Sequence, residues 1–176
     1  MADDAPDGEI EMAAGEIPTT VAVVDTGTMV EHPFIKNAIL ANTSELNGSS
    51  LVDDDGNGVK DDVYGASFTL NASNQLVVSG DPSDNGTDHG THVSGIVKTV
   101  RDQAIGYFQG RSVAPRRVQI LPVRFINESQ VGTTSGAIAS LEYAADRGAK
   151  VVNCSWGAKG AEAYTDALYD AMVQAY

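Results

Sequence analysis

Apolar residues fall along this chain in two rhythms. Four short runs are apolar or β-branched at nearly every position: TTVAVVD (19–25), VYGASF (63–68), RVQILPVRFI (117–126) and KVVNCSWG (150–157). Runs of this kind fit strands buried on both faces, as in a parallel sheet covered by helices. Pro122 interrupts the third run and predicts a bulge or an unpaired position there. Between the runs the apolar spacing changes to three and four. Val93, Ile96, Val97 and Val100 predict a helix that opens at His89. TTSGAIASLEYAADRGA (133–149) predicts a second helix, with Ser135 as its N-cap, Ile138, Leu141 and Tyr143 or Ala145 on one side, and Gly148 closing it. AEAYTDALYDAMVQAY (161–176) predicts a third, apolar at Tyr164, Ala167, Leu168, Ala171 and Met172. The order strand, strand, helix, strand, helix, strand, helix points to an α/β domain over residues 19–176 with a mostly parallel sheet. Right-handed crossovers then gather the carboxyl ends of the strands at one edge. Asp25 ends the first strand at that edge, where open α/β sheets place their sites, and Ser155 to Gly157 end the last.

Composition sharpens this picture. Residues 1–18 stand outside the pattern: the first 17 carry six acids and no base, with Pro6, Gly8 and Gly15, and predict an acidic flexible lead-in. A chain of 176 residues that is 42% hydrophobic is long enough for one domain with a real core. The net charge of −13 is uneven: through Lys98 there are 17 acids and 3 bases, and after it 7 acids and 8 bases. Acidity concentrated in the first half argues against nucleic acid as a partner and for cation binding there. The single cysteine, Cys154, excludes an internal disulfide framework. No apolar run approaches the roughly 18 residues that span a bilayer, and no basic-then-apolar signal peptide opens the chain, so a soluble mature chain is expected.

Two stretches carry candidate chemistry. In LVDDDGNGVKDDVYG, Asp53, Asp55 and Asn57 alternate, Gly58 follows, and Asp61 lies at the ninth position counted from Asp53. Oxygen ligands at every second residue with a glycine for the sharp turn match the first part of a calcium loop. Tyr64 stands at the twelfth position, so the loop is not an EF-hand. Five carboxylates in ten residues repel one another without a counter-ion. The alternative is a solvated acidic turn. In DHGTHVSG (88–95), Gly90, Ser94 and Gly95 leave little side chain beside His89, which is presented at the start of a helix as a catalytic base is. His92 follows at i+3, which also allows a metal pair, although no third ligand stands at suitable spacing. Asp25 alone is compatible with a plain turn cap. A dinucleotide-binding fold is not expected, because no G-x-G-x-x-G follows the first strand.

An Asp ending the first strand, a His opening a helix and a later strand ending Asn-Cys-Ser-Trp-Gly follow a known order. The chain resembles the subtilisin-like serine proteases in VAVVDTG (21–27), DDDGNGVKDDVYG (53–65), DHGTHVSG (88–95), ILPVRF (120–125) and VVNCSWG (151–157). The resemblance implies a three-layer α/β fold with helices on both faces of the sheet. It implies that Asp25 is the buried carboxylate and His89 the general base, with His92 structural. Ser155, Trp156 and Gly157 match the strand that pairs with substrate backbone and walls the main specificity pocket. A serine endopeptidase acting on polypeptides is implied, with calcium as a structural ion, no organic cofactor, and secretion as the family habit. The family's oxyanion asparagine and its Gly-Thr-Ser-x-Ala nucleophile lie beyond the strand matched by KVVNCSWG. The chain is therefore expected to be a truncated catalytic domain, inactive alone and completed by a C-terminal half that carries the serine. GTTSGA (132–137) offers Ser135 as an in-chain nucleophile, but the family has a helix cap there. In the family's sheet order the Cys154 strand is internal, so an unpaired apolar edge is expected. The alternative function is a non-catalytic calcium-binding or protein-binding module on the same scaffold.

Overall fold

The computed structural model describes residues 18–84, 86–108, 118–157 and 165–175. Five strands form one sheet: β1 (Thr19–Asp25), β2 (Ala66–Leu70), β3 (Leu76–Ser79), β4 (Val118–Arg124) and β5 (Val151–Asn153). Their order is β3-β2-β4-β1-β5, parallel except for the β2–β3 hairpin at one edge. A 3-10 turn (Lys36–Ala38) and four helices complete the described fold: α1 (Thr43–Leu46), α2 (His89–Phe108), α3 (Thr134–Asp146) and α4 (Asp166–Gln174).

The period of two along β1 and β4 sorts their side chains onto two faces. Ala22, Val24, Leu121 and Val123 point into one core with Ala137, Leu141 and Ala144 of α3 and Leu168 and Ala171 of α4. Val23 and Ile120 point into the other, against Val93 of α2 and Ala38 and Ile39 of the 3-10 turn. The result is the expected three-layer α/β fold, with helices on both faces of a mostly parallel sheet.

Several expectations change in detail. Of the two alternatives for Pro122, there is no bulge, since the β1–β4 register runs unbroken through Val23 and Pro122, but Pro122 is unpaired on its β2 side. The imino position is accommodated because the β2–β4 ladder begins one residue later, at Val123. The N-cap of α3 is Thr133 rather than Ser135. Thr133 has the extended backbone of a cap (φ −119°, ψ 156°) and its Oγ1 accepts from Gly136 N at 3.2 Å. Ser135 lies inside the first turn, its hydroxyl 3.2 Å from that of Thr133; with three hydroxyl residues in a row, sequence spacing does not single out the cap. On α3 Tyr143 is buried while Ala145, its alternative on the apolar side, is only partly buried, and Gly148 follows the helix at φ 75°. The strand in KVVNCSWG is short and not buried, with Val151 49% exposed, because β1 is its only partner among the described residues. On α4, Leu168 and Ala171 are buried while Ala167 and Met172 face outward. The acidic lead-in over 1–17, Tyr164 and Tyr176 lie outside the described residues.

Candidate active site

Asp25 ends β1 at the carboxyl edge of the sheet, between the ends of β4 and β5. Its side chain is fully buried. Oδ1 accepts from Thr26 N at 2.7 Å and lies 2.7 Å from Nδ1 of His89. A carboxylate can only accept, so Nδ1 carries the proton and the tautomer leaves the Nε2 lone pair free. The imidazole is half-exposed, and Nε2 has no partner among the described residues. Oδ2 of Asp25 is buried and makes no hydrogen bond among the described residues.

The two groups meet because the exit of β1 and the first turn of α2 are stitched together. Gly90 N donates to Thr26 Oγ1 at 3.0 Å, Met29 N donates to Thr91 Oγ1 at 3.0 Å, and the hydroxyls of Thr28 and Ser94 pair at 3.1 Å. A Cβ on Gly90 would lie 2.1 Å from Gly27 O, so only glycine lets the segments approach this closely. That is the physical content of the small residues around His89.

Beyond the pair, Cys154 follows β5 with its thiol pushed up to about 11, by burial first and then by the negative charge of Asp25. Trp156 turns inward: its indole N–H donates to Val24 O at 2.7 Å, and its ring meets Phe125 edge-on at 4.7 Å. Ser155 and Gly157 on either side are exposed, with Ser155 Oγ donating to Asn153 Oδ1 at 2.6 Å. Ser135 lies in the first turn of α3, on the sheet face opposite to α2. Next to His89 lies a cavity of about 540 Å³, lined by Met29, His32, Phe34, Asp88, His92 and Ile96 among others. It continues into an apolar outer face of α2, where Ile96 is 51% and Val100 61% exposed.

The acidic loop is organised differently from the spacing expectation. Among the described residues, the group of three ligand-type side chains within 4.8 Å of one another is Glu45, Asp55 and Asp62. Asp55 was expected there; Glu45 and Asp62 were not. Asp53 instead binds the backbone of its own turn, accepting from Gly56 N (2.8 Å), Asn57 N (3.1 Å) and Gly58 N (2.9 Å). Asp61 turns away to accept from Leu51 N at 2.9 Å, and Asn57 donates from Nδ2 to Asp55 and Asp62. Glu45, buried on α1, gathers the loop by accepting from Asp54 N, Asp55 N and Asp61 N at 2.7, 3.1 and 2.9 Å. Asp62 is fully buried and accepts from Asn42 Nδ2 (2.7 Å) and Tyr143 Oη (2.6 Å). Burial and the charge of Asp62 push the Tyr143 hydroxyl well above its usual range. Arg147 reaches Asp55 at 3.0 Å and supplies one positive charge. Three carboxylates so close, facing one guanidinium, form a hard-oxygen set of the kind that suits a divalent cation. Nothing local in the sequence marks Glu45, eight residues before the loop, whereas Asp62 had the signal of acidity and lacked only the right parity.

Residues 18–175 match the Subtilase family. Subtilisin-like protease 1 of Plasmodium vivax is 36% identical over 140 residues, an alignment covering 78% of this chain and 20% of that protein. Minor extracellular protease Vpr of Bacillus subtilis (strain 168) is 35% identical over 137 residues, covering 78% of this chain and 14% of that one. A solved cold adapted subtilisin-like serine proteinase aligns at 26% identity with a TM-score of 0.48, over 89% of this chain and 42% of that structure. The chain thus spans a fifth or less of the length of these two curated relatives. With every described residue inside the matched span, this chain belongs to the subtilase family.

Proposed function

We propose that this chain supplies the acid and base of a serine endopeptidase, with Asp25 as the buried carboxylate and His89 as the general base. The observation that carries this is the 2.7 Å contact between Asp25 Oδ1 and His89 Nδ1, made by a fully buried carboxylate and a half-exposed ring. In the reaction, His89 Nε2 takes the proton of a serine hydroxyl as its oxygen attacks the peptide carbonyl carbon. The imidazolium then returns that proton to the leaving amine as the acyl–serine ester forms. Water repeats the sequence to release the acid. Asp25 holds the ring in the required tautomer and stabilises its charged form. Exposed Ser155 and Gly157 offer backbone to an extended substrate, with Trp156 anchoring that segment to β1.

The serine comes from a complementary segment carrying Gly-Thr-Ser-x-Ala, which the 176 residues lack. The apolar outer face of α2 beside His89 and the side of β5 that pairs with no described strand favour this reading, since both are surfaces that a fold normally covers. Calcium is the proposed structural ion, held by Asp55 with Glu45 and Asp62 rather than by Asp53 and Asp61. Bound there, it would neutralise the carboxylates and tie the loop to α1. The extracellular setting named for the Bacillus relative is proposed for this protein as well; no described helix is long and apolar enough to cross a membrane.

A fluorophosphonate probe tests the assignment. The chain alone is expected to remain unlabelled, and the chain combined with a serine-bearing segment to label and to cleave a fluorogenic peptide. His89→Ala is expected to reduce that cleavage by on the order of 10⁴-fold or more. Labelling of the chain alone at Ser135 would overturn the assignment.

A further inference from the structure

We propose that Asp84 and Thr91 are positioning residues for His89, acting as a clamp that fixes the first turn of α2 against the exit of β1. Asp84 precedes the helix by five residues and its carboxylate bonds to Thr87 before the helix start and to Thr91 after it. Oδ1 accepts from Thr87 N and Thr87 Oγ1, each at 3.1 Å, and Oδ2 accepts from Thr91 Oγ1 at 3.1 Å. Thr91 Oγ1 in turn accepts from Met29 N at 3.0 Å, four residues beyond Asp25.

The direction of these bonds matters. A hydroxyl has one proton, and a carboxylate can only accept, so Asp84 takes the Thr91 proton and turns the oxygen's lone pairs toward the Met29 amide. A charge-assisted bond thereby sets up a neutral one, and three segments are joined through a single oxygen atom. The segment needs such a hold. Asp88, the residue immediately before His89, has a left-handed backbone (φ 56°), a conformation that costs a non-glycine residue energy and persists where its surroundings impose it. His89 lies between Asp84 and Thr91 in sequence, and its ring is half-exposed, so packing alone does not fix it. The neighbouring bonds from Gly90 N to Thr26 and between Thr28 and Ser94 hold the buried side of the seam, while Asp84 and Thr91 hold its half-buried rim.

The proposal rests on the reading of His89 as the base, and its test is independent of activity. The Nδ1 proton shared with Asp25 is expected to give a far-downfield proton resonance in the NMR spectrum of the 176-residue chain. Thr91→Val and Asp84→Ala are expected to broaden this resonance or move it upfield while the rest of the spectrum keeps its native dispersion. Thr91→Ser, which keeps the hydroxyl, is expected to retain it. An unchanged resonance in both Thr91→Val and Asp84→Ala would overturn the clamp, as would equal loss in Thr91→Ser or loss only together with the native dispersion. Failure of the base assignment reads out elsewhere, as full peptidase activity of His89→Ala in the serine-bearing form.

Discussion

Two side chains outside the Asp25–His89 pair make the electrostatics of this molecule measurable. The Cys154 thiol, raised to about 11 by burial and by Asp25, stays protonated where a free thiol has ionised. Alkylation by iodoacetamide is therefore expected to reach half its limiting rate near pH 11 in the native chain, against about 8.5 in the unfolded one. The same shift has a sign for stability. Between those two values the native state binds the extra proton, so Cys154 contributes stability below about pH 8.5 that is lost as the pH rises toward the native value. A urea midpoint that rises over this alkaline window specifically through Cys154, judged against Cys154→Ala, would contradict it. Tyr143 is the second case: its hydroxyl donates to the buried Asp62 at 2.6 Å. Tyr143→Phe leaves that carboxylate one donor short and is expected to cost about 1.5–3 kcal/mol in urea unfolding. Sequence spacing found Tyr143 only as a core residue, since its partner lies 81 positions away. Asp25 and His89, by contrast, were legible as a pair because each ends or opens an element inside a distinctive short motif.

Elements meet in this protein through a few close approaches. The α2–β1 seam depends on Gly90, whose replacement by Ala would press a methyl group against Gly27 O. Gly90→Ala is expected to cost about 1–3 kcal/mol, as overpacking does, and to separate His89 from Asp25; a native urea midpoint in this variant would show that the seam yields freely. The acidic loop is a second junction, held to α1 by Glu45 and to α3 by Tyr143 and Arg147. Calcium bound to the native state alone must raise the melting temperature, by an amount that grows as RT ln(1 + [L]/Kd). The expected result is a rise with millimolar calcium, reversed by chelator and weakened in Glu45→Gln and Asp62→Asn. No shift with calcium would leave the loop as a turn neutralised by Arg147. The period-two and period-three-four patterns announced the strands and helices themselves. They did not announce α1 or the β2–β3 hairpin partner: Leu76, Val77 and Val78 are apolar, but the run is short, stands alone in a polar stretch and is exposed in the fold.

Across the whole molecule the apolar surface is unevenly covered. β5 has one partner among the described residues, and the outer face of α2 leaves Ile96 and Val100 in solvent beside exposed Met29 and Phe34. A strand edge unpaired among the described residues, together with an apolar helix face, invites association. Alone, the 176-residue chain is expected to self-associate or to melt at low temperature, and to become monodisperse and more stable with the serine-bearing segment. Light scattering and calorimetry check this, and a monomer with a cooperative high-temperature melt would defeat it.

The sequence by itself determined the α/β class, the four longer apolar strand segments and three helices, the membership that its motifs imply, and Asp25 and His89 as candidates, because these depend on local periodicity and on residues within one short motif; it left β3 and α1 unmarked. Tertiary structure decided what spacing along the chain cannot encode. It brought Glu45 and Asp62 to Asp55 and turned Asp53 and Asp61 toward backbone amides, because a loop's carboxylates are sorted by the donors that folding places around them. It made Thr133 the cap of α3, and it joined Asp84 to Thr91 and Thr91 to Met29, since a hydrogen bond depends on distance in space and not on separation in sequence.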